Sequence, residues 1–284
     1  MPFTVSTPTS AAAWRPDEYT FAATDVIPDA VLLNCTTNAG NVEGDAVSVR
    51  VACVDDALAT ITAEGSTIDE AQPELSEALV HTSKVTQLVR LSREQYQQPS
   101  TPEQLAQSVS RAVTRRANLA FLTEPTPTAP AVAPVAGLLN TVGIVDGGTV
   151  TDSLDVLIDL VATLQTNLAT PSSLVLGPRG WAALRKLKSA ATYNTSLLGS
   201  GTEDAQALVL SLPVIVTNAI TDHSGLVIDK TAIVSAVGPV VISTSMDRYF
   251  DSDSVGVSCR FRSGFAVPRP DRIGVFSVGV PQGS

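Results

Sequence analysis

From residue 46 onward the chain alternates between apolar and polar positions. Val47, Val49, Val51 and Cys53 are separated by Ser48, Arg50 and Ala52, the period of a half-buried strand. ALATIT continues in strand style, EGSTIDEAQPELSE breaks the pattern with Gly65 and Pro73, and HTSKVTQLVRLSRE resumes it through Val85, Leu88 and Val89. This predicts a long two-stranded excursion over 46–90 with its turn near 65–73. The period then changes. In STPEQLAQSVSRAVTRRANLAFL, Leu105, Val109, Ala112, Val113 and Ala120 form one stripe, which predicts an amphipathic helix over about 101–122. Thr101 is the expected N-cap, Pro102 takes the first helical position, and Gln104 sits where a capping box wants it. Arg111, Arg115 and Arg116 load the later turns, where they would complement the helix dipole.

Prolines 125, 127, 130 and 134 then forbid a helix and mark a link between two parts of the chain. Beyond it, Leu154, Leu157, Ile158, Val161, Leu164 and Leu168 keep a 3.6-residue period, with Thr151 or Asp152 near the cap. SSLVLG is a short buried strand that stops at Gly177-Pro178. PRGWAALRKLKS is a second helix, in which Pro178 takes the first position and Trp181, Leu184 and Leu187 face inward. ALVLSLPVIVTNAI is a strand broken by Pro213, and GLVID and AIVSAV are short strands. From Val240 onward the chain is β, and its middle strand puts Arg260 and Arg262 on one face with Phe261 on the other. The fold class is α+β. Residues 1–45 show no sustained period and read as an extended arm, whose Trp14 would be satisfied in a neighbour's pocket.

Composition sharpens this picture. The hydrophobic fraction is 44% while charged residues are 16%, below the usual quarter of a soluble domain. Such a chain implies surfaces covered by other copies. A net charge of −10 argues against general nucleic-acid binding, which runs on basic patches. The lysines are only Lys84, Lys186, Lys188 and Lys230; the other bases are Arg, the residue suited to desolvated contacts. Asp55, Asp56, Glu64, Asp69, Glu70, Glu74 and Glu77 fall within 54–83, which has no Lys or Arg. A lone hairpin is marginal in water, and a uniformly acidic one repels itself. It calls for a basic surface, such as one on another subunit.

Chemistry is scarce. Cys35, Cys53 and Cys259 are too few and too scattered for a disulfide framework or a zinc site, and imply small thiols in a reducing cytoplasm. His81 and His223 have no second His or Cys at ligand spacing, so no metal or cofactor is expected. No G-x-S-x-G occurs, and a cytoplasmic α/β hydrolase would need a nucleophile–base pair the sequence does not offer. Gly177-Pro178-Arg179-Gly180 lacks the Lys-Ser/Thr of a P-loop, and Pro178 removes an N–H a phosphate would need. No run is apolar enough for a membrane helix, and MPFTVSTPTSAAAWRPDEYTF is not a secretory signal.

The order of these features is specific. An acidic excursion closes in KVTQLVRLSREQYQQ. A long helix, a Pro-rich link, an α/β unit with LVLGPRGWAALRKLK and LSLPVIVTNAI, and a final RSGFAVPRPDRIGVFSV follow. This resembles the major capsid proteins of tailed bacteriophages with the Hong Kong 97 type fold. The family pattern of strand, Asn/Gly-Pro, aromatic, Leu-x-x-Leu-Lys matches residues 175–188. Its Gly-x-Pro-Val strand resembles 210–216. The resemblance implies an N-arm at 1–45, an E-loop at 46–90, a P-domain at 91–134 and 238–284 with a spine helix at about 101–122, and an A-domain at 135–237. It places a loop at the capsomer axis over 194–207.

The resemblance further implies pentamers and hexamers closing around double-stranded DNA, in a virion assembled in the bacterial cytoplasm. Portal, separate scaffolding and decoration proteins are the implied partners. An encapsulin-like nanocompartment shares the fold, but the Pro/Ser/Thr-rich arm favours the phage class. The family's founding member crosslinks an E-loop lysine to a P-domain asparagine with a glutamate assisting. Here 54–83 has no lysine, and MDRYFDSDSVGVSCRFRSG has neither Asn nor Glu, so no isopeptide links are expected. Only about 45 residues precede the first strand, so scaffolding is expected on a separate chain. Cohesion then falls to arm, apolar faces and charge. The acids Glu64, Asp69, Glu70, Glu74 and Glu77 are expected to dock on a neighbour's Arg111, Arg115, Arg116, Arg260 and Arg262. Gly177, Pro178, Trp181 and Leu184 are expected to form a strand-to-helix corner.

Overall fold

The computed structural model describes residues 18–42, 46–54, 61–62, 64–65, 75–98, 101–188 and 207–279. Two mixed-length sheets meet on a helix-lined core. The first runs in the order β1 (Glu18–Phe21), β10 (Val234–Tyr249), β11 (Ser254–Ala266), β4 (Leu75–Ser92) and β3 (Ser48–Val54), each antiparallel to its neighbour. β2 (Thr37–Asn41) lies parallel to the start of β10. The second runs β5 (Val145–Val150), β12 (Gly274–Val278), β9 (Ser224–Ile228), β6 (Ser173–Leu176), β8 (Leu212–Val216) and β7 (Leu208–Val209). All four residues of β6 are buried, as a central strand of continuous apolar character requires.

The long helix α4 (Thr101–Leu122) lies on the first sheet and buries Val109, Val113, Ala117, Phe121 and Leu122. The ring of Phe121 meets Phe265 of β11 edge-on at 5.0 Å. The predicted stripe is corrected in part: Ala112 is exposed, and Ala117, Phe121 and Leu122 extend the buried face instead. The helix begins at Thr101 itself and has no base in its last turn, so the arginines sit too far from the C-terminus to serve its dipole.

Helix α5 (Asp155–Thr166) packs on the second sheet through Leu157, Leu160 and Leu164. Ile158 and Leu168, expected in its buried stripe, are 47% and 73% exposed, and Leu160 takes their place. Leu168 has φ 61°, so the helix has already ended there. The N-cap position falls to Leu154, beyond Thr151 and Asp152.

Three further expectations are corrected. The arm is not wholly extended: α1 (Ala23–Val26) and α2 (Val31–Cys35) are short helices, and Ile27, Ala30, Val31 and Cys35 are buried in the main core. The strand containing Pro213 is broken at Leu210-Ser211, where φ is 52° and 65°, while Pro213 lies inside β8 opposite Leu208. AIVSAV and VVISTSM form the single strand β10, with a register shift between Val237 and Val240 that absorbs Gly238-Pro239. The C-terminal segment also contributes to the second sheet, where β12 pairs with β5 and β9.

Candidate assembly surface

Strand β4 changes partner midway. Residues 75–81 pair with β3, and residues 82–92 pair with β11. The β3–β4 hairpin therefore projects beyond the sheet as a two-stranded ribbon. Its root is locked. Arg262 donates to Thr82 Oγ1 at 3.0 Å and to the Ala46 carbonyl at 3.4 Å, and Thr82 Oγ1 donates to the same carbonyl. Further out, Glu77 meets Arg50 across the two strands at 3.4 Å, with both side chains mostly exposed. Val47 and Leu79 are 64% and 46% exposed, and Glu64 stands in an exposed turn beside Gly65. Asp69, Glu70, Glu74 and Trp14 lie outside the described residues, as does the stretch 194–207 apart from its last residue, Ala207.

The basic residues expected to receive these acids differ in their state. Arg111 and Arg115 are exposed on α4. Arg116 is engaged within its own chain, donating to both oxygens of Glu124 at 2.6 and 2.9 Å. Its pKa is raised, chiefly by that hydrogen bond. Arg262 is half-buried at the hairpin root, and Arg260 reaches Ser243 at 3.3 Å. Glu77 likewise has its partner Arg50 in its own hairpin. Of these five arginines, Arg111 and Arg115 are the two with no hydrogen bond or ion pair among the described residues, while Arg116, Arg260 and Arg262 are engaged.

A second charged region, which sequence patterning missed, lies where β10 turns into β11. The Arg90 and Arg248 guanidinium groups lie 4.7 and 5.6 Å from the centre of the Tyr249 ring, and Arg93 pairs with Asp253 at 2.8 Å. Phe250 and Met246 beside them are 83% and 52% exposed. The register that unites β4 with this turn is not local, so no short motif announces it.

The corner at Gly177 is closed by backbone. Gly177 is the N-cap of α6 (Pro178–Arg185) and Pro178 its first residue. The Gly180 N–H donates to the Asp222 carbonyl at 2.9 Å, and a Cβ on Gly177 would stand 2.8 Å from that oxygen. Arg179 pairs with the Asp222 carboxylate at 3.1 Å. The helix start is thereby filled by the 221–223 turn. Leu184 is fully buried, Trp181 is half-buried, and the Arg185 guanidinium lies 6.0 Å from its ring centre.

Among the described residues no group of His, Cys, Asp and Glu is placed to hold a metal. What the surface offers is a projecting ribbon, exposed apolar side chains and paired charges. Such features seat other chains. The Phage capsid family model matches residues 36–278. Among solved structures, a chain of Microbacterium phage Oxtober96 is 12% identical over 97% of this chain and 96% of its own, with a TM-score of 0.66. The capsid of a native GTA particle is 17% identical over 98% and 96%, with a TM-score of 0.66. A chain of Gordonia phage Cozz is 15% identical over 98% and 91%, with a TM-score of 0.62. No curated protein matches the sequence. The solved structures establish a shared Hong Kong 97 type fold, and the match over most of the chain establishes that it belongs to the phage capsid family, as a major capsid protein.

Proposed function

We propose that copies of this chain form pentamers and hexamers that close into an icosahedral shell around packaged double-stranded phage DNA, assembled in the host cytoplasm without isopeptide crosslinks. In this reading the projecting β3–β4 hairpin is the E-loop and α4 the spine helix of the P-domain. The second sheet is the core of the A-domain, with β12 returning to it from the C-terminal segment. Portal, scaffolding and decoration proteins are its partners, and the chain carries no catalytic function.

The observation that carries this reading is the hairpin. A two-stranded ribbon is marginal alone in water; this one is anchored by Val51 and Val80, buried with Val42 and Ala236, yet it leaves Val47 and Leu79 exposed. A neighbouring copy is the partner that a shell protein has at hand. The absence of crosslinks is supported by the absence of lysine from 54–83 and of Asn and Glu from 246–264.

Electron microscopy of the expressed protein and of phage particles tests the proposal. Closed shells, with DNA in the phage particles, are expected. Shells enclosing protein cargo would assign a nanocompartment role, and purely monomeric protein would remove the shell reading. Mature shells boiled in detergent should release the 29.5 kDa chain; covalent ladders resistant to reduction would overturn the crosslink-free reading.

A further inference from the structure

The first sheet has two open edges. Among the described residues, β1 is paired with β10 alone, and β4 beyond Thr82 is paired with β11 alone. Unpaired edges present rows of N–H and C=O groups that template another strand, and proteins normally cover them. The β4 edge faces a groove of about 580 Å³ lined by the consecutive residues 82–86 and walled by Arg116, Ala120, Ala133 and Pro134. Consecutive residues line it because the strand's edge, not one of its faces, looks into the groove.

The opposite edge carries an unexplained aromatic pair. Tyr19 and Phe21 are 41% and 42% exposed and stack at 6.4 Å. Cross-strand register puts Tyr19 in a row with Ile242, Cys259 and Gln87, and Phe21 in a row with Val240, Phe261 and Val85. Cys259, Val240 and Phe261 are buried in the core shared with α4, so both aromatics project on the helix side of the sheet.

We propose that β1 of one copy adds to the free edge of β4, residues 83–92, in the next copy, so that the sheet runs on from subunit to subunit. A strand added there keeps its helix-side residues on the helix side. Tyr19 and Phe21 then meet the groove wall, where Ala120 and Pro134 offer apolar contact and the Arg116 guanidinium a cation–π partner. The occupant is a second copy because a capsid protein assembles with itself. It arrives head to tail, because β4 set antiparallel against β4 about residue 87 would put Lys84 opposite the other copy's Arg90. Opposite edges of one sheet make a heterologous contact, and such contacts form rings when the rotation between copies closes, as in a capsomer.

The inference rests on the shell reading and is tested on assembled shells. In a Cys53→Ser background, Thr20→Cys is combined in turn with Lys84→Cys, Thr86→Cys and Leu88→Cys. All of these lie on the helix-free face. Within one chain β10 and β11 separate the two edges by about 14 Å, beyond disulfide reach. Diamide oxidation should shift most of the protein of at least one double variant into disulfide-linked species up to capsomer size, collapsing on reduction. Shells without such species in any double variant would overturn the pairing while leaving the shell reading intact. So would linkage from Thr20→Cys alone, or linkage when Arg50→Cys replaces it, which would give the edge to the hairpin. No shells from the unmodified chain would remove both. Should the variants not assemble, hydrogen exchange on unmodified shells decides. Amides of 19–21 and 84–91 should exchange far more slowly in shells than in free subunits, and equal rates overturn the proposal.

Discussion

Asn118 Oδ1 accepts a hydrogen bond from the Val31 backbone N–H at 2.8 Å, in the buried seam between α4 and α2. Asn118 is only 7% exposed, and Val31 starts a helix with no side-chain cap of its own. The amide therefore supplies the cap from another element, helped by Ser110 Oγ, which donates to the Val26 carbonyl. Removing one partner of a buried pair leaves a donor unsatisfied, at about 1–3 kcal/mol. Asn118→Leu should lower the stability of the free subunit by that amount in urea unfolding and loosen residues 23–35 to hydrogen exchange. An unchanged midpoint would mean that the seam relaxes.

That seam also shows where sequence patterning fails. Helix α2 has five residues and α1 four, too few to display a 3.6-residue period. They form because Ala30, Val31 and Cys35 have a core to enter, and Asn118 looks like any polar residue on a helix. The Leu210-Ser211 turn has no Gly or Asn to advertise its positive φ, and Gly238-Pro239 imitates a strand end where β10 only bulges. By contrast, the alternation in β4 and the period of α4 and α5 are properties of long segments, and those elements stand where the patterns put them. Of the assembly surface, the acidic hairpin was legible in the charge run. Which arginines are already engaged was not, because Glu124 and Thr82 reach them through tertiary structure.

Gly264 faces His81 at the root of the hairpin. A Cβ there would stand 2.2 Å from the His81 carbonyl oxygen, at the point where β4 exchanges β3 for β11. Backbone cannot give way as a flexible side chain can. Gly264→Ala should cost roughly 1–3 kcal/mol through forced backbone shifts, read as a lowered melting temperature of the free subunit and a drop in assembled yield. A wild-type melting curve would show that the two strands can part without loss.

Cys35 is fully buried, and burial pushes its thiol from 9.0 up to about 11. The neutral thiol is therefore held in the fold, at 3.4 Å from Ser173 Oγ. At pH 8 a thiol reagent should label half-buried Cys53 and spare Cys35 until the chain is unfolded. The sign of the pH effect follows. The folded state holds the proton more tightly, so this contribution is intact below pH 9 and is lost as pH rises toward about 11. The loss is about 1 kcal/mol per pH unit in that window. Stability that does not fall between pH 9 and 11 would place Cys35 outside the core.

The acid run of the hairpin gives the last test, with its receptor narrowed by the structure. Arg116 is held by Glu124, Arg262 by Thr82 and Ala46, and Glu77 by Arg50, all within one chain. Arg111 and Arg115 remain exposed on α4 and are the proposed receptors for a neighbour's acids. Each exposed ion pair is worth about 0.2–1 kcal/mol, so one substitution is silent in a single contact and decisive only through repetition around a shell. Glu70→Lys with Glu74→Lys should reduce shell yield in low salt, and added salt should relieve the defect as repulsion is screened. Arg111→Glu with Arg115→Glu should reduce it likewise, and the four substitutions together should restore it. Restoration is what a general loss of solubility or folding would not produce. If the combined variant assembles no better than either pair, the hairpin acids dock elsewhere.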